Sequence, residues 1–393
     1  RTVGVDNIVQ PSINFPDVYI VPQMSGGSPY VRGTTTTDAA GGYGNGININ
    51  TANVTIRGIA ISGFGNTSTA ANAAGLSGDI CILRSVTQRT ANIVITDCFI
   101  GTDPTGIAPT VASNRRSLGA AIVIGGNNFT GTIARNFMRN LGTYGIHFNG
   151  LVDHAESGGT AFDPLLGFDR LINFSNRNWV VENNQLIDVS WNNSFVGPGN
   201  IVTSATGLVA DAINIMNCKR FIIRNNYIEN VEQVGIDIGW NADSNFVSNN
   251  SITGFTKTYS GPVQCGIRAA LASRGDTLFR NRIFNNQGTA FMGGIWIDRS
   301  TPFDPATSTP PGITSYDNNL HVVMENMIYD NRSSGIVMST FSPLSSFVNA
   351  RQNTFARNIT YNNTGLGIDL GLPGNNGGPT VFGSISVTPN DNG

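Results

Sequence analysis

Ten short segments of the form Gly-Ile-x-apolar, or a close variant of it, carry the side chains that could do chemistry. Residues alternate between the two faces of a strand, so the Ile and the fourth residue point inward and the variable residue x points outward. If the segments stack as neighbouring strands, the x residues form one outward column. In chain order the column reads Asn48, Cys81, Val123, His147, Asn214, Asp237, Arg268, Trp296, Val337 and Asp369.

The middle of this column combines the groups that a sugar site uses. An aromatic ring packs on the apolar face of a sugar, and charged or amide groups bind its hydroxyls or carboxylates. We therefore predict a ligand-binding face made of Asn214, Asp237, Arg268 and Trp296. If the chain is an enzyme, its candidate catalytic residues are His147, Asp237 and Arg268. The alternative is an ordinary solvated sheet face on which Asp237 pairs with Arg268.

Two predicted loop insertions, residues 150–177 and 299–320, directly follow the segments that bear His147 and Trp296. They would form walls beside the column, where loops on a rigid scaffold often carry function. A carboxylate from the first loop, or Asp298, could pair with Asp237 for glycoside hydrolysis.

A second repeated segment, apolar-x-x-Asn-x-apolar, positions the column. Placed at an inward turn once per coil, its Asn can hydrogen-bond the coils above and below as a ladder. Two earlier copies carry Ile59 and Cys98 at the Asn position. The predicted ladder residues are Asn136, Asn184, Asn226, Asn250, Asn281, Asn326 and Asn353.

These repeats predict an all-β fold, a right-handed parallel β-helix solenoid of about ten coils with loop insertions. The strands are short, are separated by Asn, Gly and Asp, and show no helical periodicity. Each coil needs at least two strands. We expect residues 1–45 to form an N-terminal cap and the first coil, residues 46–370 the parallel β-helix, and residues 371–393 an irregular C-terminal segment or the start of a further module.

The composition narrows the range of partners and locations. Only 12% of residues are charged and the formal net charge is −2, so the chain lacks the basic patch expected of nucleic-acid binding. No apolar stretch is long enough to span a membrane. The surface, rich in Asn, Thr and Gly, suggests an extracellular protein. Four widely separated cysteines, Cys81, Cys98, Cys218 and Cys265, lack metal-site spacing. We expect free thiols, no metal and no cofactor.

Three segments carry a family resemblance: Phe99-Ile-Gly-Thr-Asp-Pro-Thr-Gly106, Gly365-Leu-Gly-Ile-Asp-Leu-Gly371 and the tail Val387-Thr-Pro-Asn-Asp391. They resemble segments of large secreted bacterial surface proteins that carry right-handed parallel β-helix repeats, a superfold shared with pectate lyases. The resemblance implies a location outside the cell or at the cell surface. The polygalacturonase motifs found on this fold are missing as a set, and His147 lies in Gly-Ile-His-Phe rather than in Gly-His-Gly.

Two functional hypotheses follow. The first is a non-catalytic extracellular structural or adhesive surface scaffold, whose partners would be a polysaccharide or cell-surface glycan, further copies of itself or other surface proteins. The second is a polysaccharide lyase or glycoside hydrolase acting along the outward column.

Overall fold

The computed structural model describes fourteen stretches of the chain, and all structural statements concern these residues. They are residues 18–21, 45–65, 78–82, 90–109, 117–126, 128–150, 175–189, 211–239, 242–255, 264–270, 273–288, 291–298, 319–339 and 352–369. The insertions expected at 150–177 and 299–320, and the C-terminal segment 371–393, fall almost entirely outside them.

Thirty parallel strands in the described residues form three sheets of ten strands each. The chain visits the sheets in the same order in every complete coil, so each strand pairs with strands of the neighbouring coils. This arrangement is the predicted all-β parallel β-helix, with three strands per coil rather than the minimum of two.

Sheet A contains the strand that comes directly after the repeated Asn position in each coil. Its strands are β1 (Val18–Ile20), β4 (Ile59–Ile61), β7 (Phe99–Ile100), β10 (Phe137–Leu141), β13 (Gln185–Val189), β17 (Tyr227–Val231), β20 (Ser251–Thr253), β23 (Arg282–Phe284), β26 (Met327–Tyr329) and β29 (Ile359–Tyr361).

Sheet B comes next in the coil and contains the Gly-Ile-x-apolar segments. Its strands are β2 (Ile47–Ile49), β5 (Gly78–Ile82), β8 (Ala120–Ile124), β11 (Ile146–Asn149), β14 (Ile213–Met216), β18 (Val234–Gly239), β21 (Gln264–Ala269), β24 (Phe291–Asp298), β27 (Ser334–Ser339) and β30 (Ile368–Asp369).

Sheet C contains the strands that come before the repeated Asn in each coil. Its short strand β15 pairs with β12 and lies outside the main strand order of the sheet. Its strands are β3 (Thr55–Arg57), β6 (Thr90–Thr96), β9 (Asn128–Ala134), β12 (Asn176–Glu182), β15 (Cys218–Lys219), β16 (Ile222–Arg224), β19 (Phe246–Ser248), β22 (Thr277–Phe279), β25 (Val322–Met324) and β28 (Thr354–Ala356).

Inward residues of the three sheets stack on their equivalents in the neighbouring coils and form one continuous apolar core. Residues at equivalent positions of neighbouring coils contact one another because the register between coils is constant. Examples of these stacks are Val247 with Leu278 in sheet C, Ile252 with Ile283 in sheet A, and Ile236 with Ile267 in sheet B.

The repeated asparagines are buried at the corner between sheets C and A and form a hydrogen-bonded ladder. The Asn226 Nδ2 donates to Asn250 Oδ1 over 3.0 Å and to the carbonyl of Val181 over 3.0 Å. The same two bonds recur from Asn136 to Asn326, so each amide links three coils. The residue before each ladder position has positive φ, as Asn225 and Asn249 do, which turns the chain and leaves the Asn side chain inside.

The assignment of Asn353 to this ladder was wrong. The next rung after Asn326 is Asn358, whose Oδ1 accepts from the Asn326 Nδ2 over 2.9 Å. Asn353 lies at another corner, between sheets B and C, where its Oδ1 accepts from the backbone N–H of His321 over 2.9 Å.

Close approach between coils explains the glycines of the Gly-Ile-x-apolar segments. A Cβ at Gly266 would lie 2.6 Å from the carbonyl oxygen of Gly294 and 2.6 Å from Ile283 Cγ2. Only glycine lets the backbone of one coil approach the next at this point. The glycines therefore fix where sheet B starts and which residues enter its outward column.

Candidate functional site

The ten x residues of sheet B lie in one column, in the predicted order. Their backbone partners are continuous from Asn48 to Asp369, one residue per coil. The register therefore brings His147, Asn214, Asp237, Arg268 and Trp296 side by side, as the repeat predicted.

The middle of the column is buried, whereas Asn48 at one end is exposed and Asp369 at the other is partly exposed. For the residues from His147 to Trp296, the expectation of an exposed face was wrong. His147, Asn214, Asp237 and Trp296 are at most 2% exposed, and the Arg268 side chain is 12% exposed. The Trp296 ring packs in a small apolar cluster with Val234, Cys265 and Val337, and a second cluster contains Cys81, Ala120, Val123 and Tyr144. Both clusters are separate from the core inside the solenoid. Sheet B thus has apolar packing on both of its faces.

A polar network lies between these two clusters. Arg268 donates two hydrogen bonds to Asp237, from Nε to Oδ1 over 2.9 Å and from Nη2 to Oδ2 over 3.0 Å. The Asn214 Nδ2 donates to Asp237 Oδ2 over 3.3 Å and to Asp211 Oδ2 over 2.7 Å. Asp211 also accepts from the backbone N–H of Val234 over 3.2 Å. Asp211 was not predicted, because it lies before its strand rather than at an x position.

Aromatic rings extend the network at both ends. The guanidinium carbon of Arg268 lies 5.8 Å from the Trp296 ring centroid, within the range of a cation–π contact. At the other end, the rings of Tyr144 and His147 stack with centroids 4.1 Å apart. The planar groups are therefore packed against protein rather than displayed for a ligand.

Burial dominates the electrostatics of the network. Burial raises the pKa of Asp211 well above its ordinary value, and the nearby Asp237 carboxylate raises it further. Burial also raises the pKa of Asp237, although Arg268 opposes the rise. Burial disfavours the charge on Arg268, but Asp237, Asp298 and Asp211 raise the pKa of its guanidinium on balance, so it stays protonated. The arrangement can hold one proton on Asp211 beside an ionised Asp237, which is the charge state of a general acid and base pair.

The four cysteines are free, as the sequence predicted, and all four are buried. Cys98 and Cys218 belong to the core inside the solenoid, whereas Cys81 and Cys265 lie in the two outer clusters of sheet B. Within the described ranges, no group of three or more His, Cys, Asp or Glu side chains is arranged to hold a metal ion.

The three parallel sheets and the buried column define a β-helix solenoid whose coils are joined by ladders of side chains. A family model described as "Right handed beta helix region" matches residues 170–371, about half of the chain. The chain belongs to this right-handed β-helix family. No helix in the described part of the chain could span a membrane.

Solved structures with a similar fold include two proteins of different kinds. The crystal structure of PfbA, a surface adhesin of Streptococcus pneumoniae, is 13% identical, covers 87% of this chain and 81% of its own, and has a TM-score of 0.36. A mutant of DFA-IIIase from Arthrobacter chlorophenolicus A6, in complex with DFA-III, is 11% identical, covers 82% and 71% respectively, and has a TM-score of 0.35. No curated protein sequence matches this chain significantly.

Proposed function

We propose that the chain is a non-catalytic extracellular scaffold with a structural or adhesive role at a cell surface. The observation that carries this proposal is the closure of the sheet B column. Both Asp237 oxygens accept hydrogen bonds from Arg268, and the candidate acid–base residues His147 and Asp237 are at most 2% exposed. A substrate would need to break a buried charge pair before it met a reactive group, and such pairs are costly to break.

The unpaired thiols do not argue against a location outside the cell. All four cysteines are buried, and burial raises the pKa of each thiol, which keeps it protonated and unreactive. A protein with unpaired cysteines survives an oxidising environment only if those cysteines are shielded. The same scaffold would present its exposed faces to a polysaccharide, a cell-surface glycan, other surface proteins or further copies of itself. The near-neutral charge disfavours nucleic acid as a partner.

Incubation with a panel of acidic and neutral polysaccharides tests the absence of catalysis. We expect no change in the mass distribution of any polysaccharide after prolonged incubation with the protein. Steady release of oligosaccharides in proportion to protein concentration would overturn the proposal.

The alternative function is a polysaccharide lyase or glycoside hydrolase, and the pair of Asp211 and Asp237 favours it specifically. Both side chains have raised pKa values and share the amide of Asn214. If turnover is found, Asp211→Asn and Asp237→Asn should each abolish it. Full turnover in both variants would exclude this network as the site of the reaction.

A further inference from the structure

Three aromatic residues form a stripe on the outer face of sheet A in the last three coils. Phe284, Tyr329 and Tyr361 each lie three residues after a rung of the Asn ladder. The rings of Phe284 and Tyr329 stack with centroids 5.3 Å apart, and those of Tyr329 and Tyr361 with centroids 4.8 Å apart. The interplanar angles are 8° and 2°, so the three rings are nearly parallel. We call these three residues the aromatic stripe.

The aromatic stripe is held rigidly. Its residues are consecutive partners in β23, β26 and β29, which fixes their spacing at one ring per coil. Arg282 supports the stripe from the neighbouring outward column. Its Nη2 donates to the hydroxyl of Tyr329 over 2.9 Å, and its guanidinium carbon lies 5.3 Å from the Phe284 ring centroid. A ligand would therefore meet rings that are already ordered, which lowers the entropic cost of binding.

A row of exposed polar residues borders the stripe. Asn285, Asp330 and Asn362 follow the three aromatic residues directly, and each has φ between 51° and 55°. This left-handed turn leaves the amide or carboxylate of each residue in solvent beside its ring. Every one of these coils thus presents one ring and one planar hydrogen-bonding group.

Unlike the column of sheet B, this surface is accessible. Tyr361 is 40% exposed, and the rings of Phe284 and Tyr329 are half-buried. Exposed aromatic side chains carry contact area at low conformational cost, and their clustering on a soluble surface indicates a binding site.

We propose that the aromatic stripe binds a neutral polysaccharide chain lying along the solenoid axis. This inference rests on the proposed role as a glycan-binding adhesive scaffold and names its binding surface. The surface repeats one ring and one polar group per coil, which suits a ligand that is itself a linear repeat. Sugar rings offer an apolar face to the aromatic stripe and hydroxyls to the bordering Asn and Asp side chains. Arg282 and Asp330 balance in charge, which favours a neutral polymer over an anionic one.

Calorimetric titration of the full chain with cellohexaose, xylohexaose, laminarihexaose and chitohexaose tests the proposal. We expect at least one of these hexasaccharides to bind. Tyr329→Ala, which removes the central ring, should weaken that binding about tenfold. Phe246→Ala is the matched control, because Phe246 is a 39% exposed aromatic residue on the outer face of sheet C. The Phe246→Ala variant should bind the hexasaccharide with the same affinity as the unmodified chain.

The thermal melting temperature of each variant is measured first. If Tyr329→Ala does not fold, Tyr361→Ala decides the question, because Tyr361 lies at the exposed end of the stripe. Failure of all four sugars to bind at millimolar concentration would overturn the proposal, as would equal losses in the stripe variant and the control. Dimerisation of the unmodified chain that Tyr361→Ala abolishes would also overturn it, by showing that a second copy occupies the surface. These titrations measure binding only, whereas the scaffold proposal is tested by the release of oligosaccharides. Failure of one proposal can therefore be distinguished from failure of the other.

Discussion

At the scale of single residues, Arg268 is a buried cation whose pKa is raised by three carboxyl groups, those of Asp237, Asp298 and Asp211. A buried carboxylate without a partner costs far more than one that is paired and hydrogen-bonded. Arg268 thus allows Asp237 to remain ionised on a covered sheet face. We therefore propose that the role of Arg268 is structural.

Replacement of this cation should therefore destabilise the protein strongly. We expect Arg268→Met to lower the free energy of unfolding by about 3–5 kcal/mol at pH 7. The loss should shrink as the pH falls from 7, because burial raises the pKa of Asp237 and Arg268 no longer lowers it, so this carboxyl takes up a proton and no unpaired charge remains. Chemical denaturation at several pH values measures both effects.

Arg224→Met is the control for this experiment. Arg224 binds Glu182 over 2.7 Å, but its side chain is 47% exposed. Its replacement should cost less than about 1 kcal/mol at any of these pH values. Equal losses in the two variants would contradict the structural role of Arg268.

A second buried titratable pair lies at the corner between sheets B and C. Asp276 Oδ1 accepts from the backbone N–H and the Nδ2 of Asn245 over 2.9 and 2.8 Å. Its Oδ2 lies 3.4 Å from Nδ1 of His321, and both side chains are fully buried. Burial, with a smaller effect of the Asp243 carboxylate, raises the pKa of Asp276 to about 7. Burial lowers the pKa of His321 to about 4.

The opposite pKa shifts of Asp276 and His321 should cancel in the pH dependence of stability of the intact protein. Each should appear by itself in a variant that lacks the other residue. Between about pH 4 and 6.5 the pair binds one proton in both states, on His321 when unfolded and on Asp276 when folded. In Asp276→Asn, stability should fall by about 3 kcal/mol as the pH drops from about 6.5 to 4, because only the unfolded state gains a proton on His321. In His321→Gln, stability should fall by about 3–4 kcal/mol as the pH rises from about 4 to 7, because only the unfolded state loses a proton from Asp276 while the folded state keeps it.

Urea denaturation from pH 4 to 7 distinguishes these slopes after the profile of the unmodified chain is subtracted. Slopes of the same sign in the two variants would show that the pair does not exchange its proton on folding.

At the scale of elements, the Asn ladder joins neighbouring coils at the corner between sheets C and A. Removal of the Asn250 amide leaves the backbone N–H and Nδ2 of Asn226 without their acceptor. The Asn281 Oδ1 loses the Nδ2 of Asn250 as a donor and keeps only the backbone N–H of residue 250. We therefore expect Asn250→Leu to lower the free energy of unfolding by at least about 1–3 kcal/mol.

Ser251→Ala, at the adjacent outward position of β20, is the control and should cost less than about 0.5 kcal/mol. Equal midpoints of urea denaturation for the two variants would contradict the stabilising role of the ladder.

The sequence predicted this ladder to within one rung, and the error has a simple cause. Two asparagines, Asn353 and Asn358, fall within one coil. The segment from Ala350 to Phe355 has apolar residues at both ends, whereas the segment from Phe355 to Thr360 ends on a polar residue. The pattern therefore favoured Asn353. The register shows that Thr360 stacks on Ile328 in sheet A, so the core accepts a Thr in its last coil.

At the scale of the whole molecule, the solenoid has two kinds of packed layer. The core inside the coils is the layer that the repeat predicts, because inward residues recur once per strand. The layer outside sheet B is not predicted, because alternation along a strand reveals which face a residue occupies but not what covers that face. For the same reason, the order of the column was predicted correctly and the exposure of its middle residues was not.

The aromatic stripe is the converse case, because the sequence alone contains its signal. An aromatic residue stands three positions after Asn281, Asn326 and Asn358. Its recognition required the correct last rung, because only Asn358 places Tyr361 in line with Tyr329 and Phe284.

The central claim is that the polar column of sheet B is closed to solvent. Its most direct test is labelling of the native protein with N-ethylmaleimide, followed by mass spectrometry of the cysteine peptides. Cys81 belongs to the column and Cys265 lies beside Trp296 in the outer cluster, whereas Cys98 and Cys218 in the inner core serve as internal controls. The closed column predicts that all four thiols are labelled at one slow rate, that of global unfolding. Rapid labelling of Cys265 while Cys98 and Cys218 stay protected would show that the column opens to solvent and would contradict the claim.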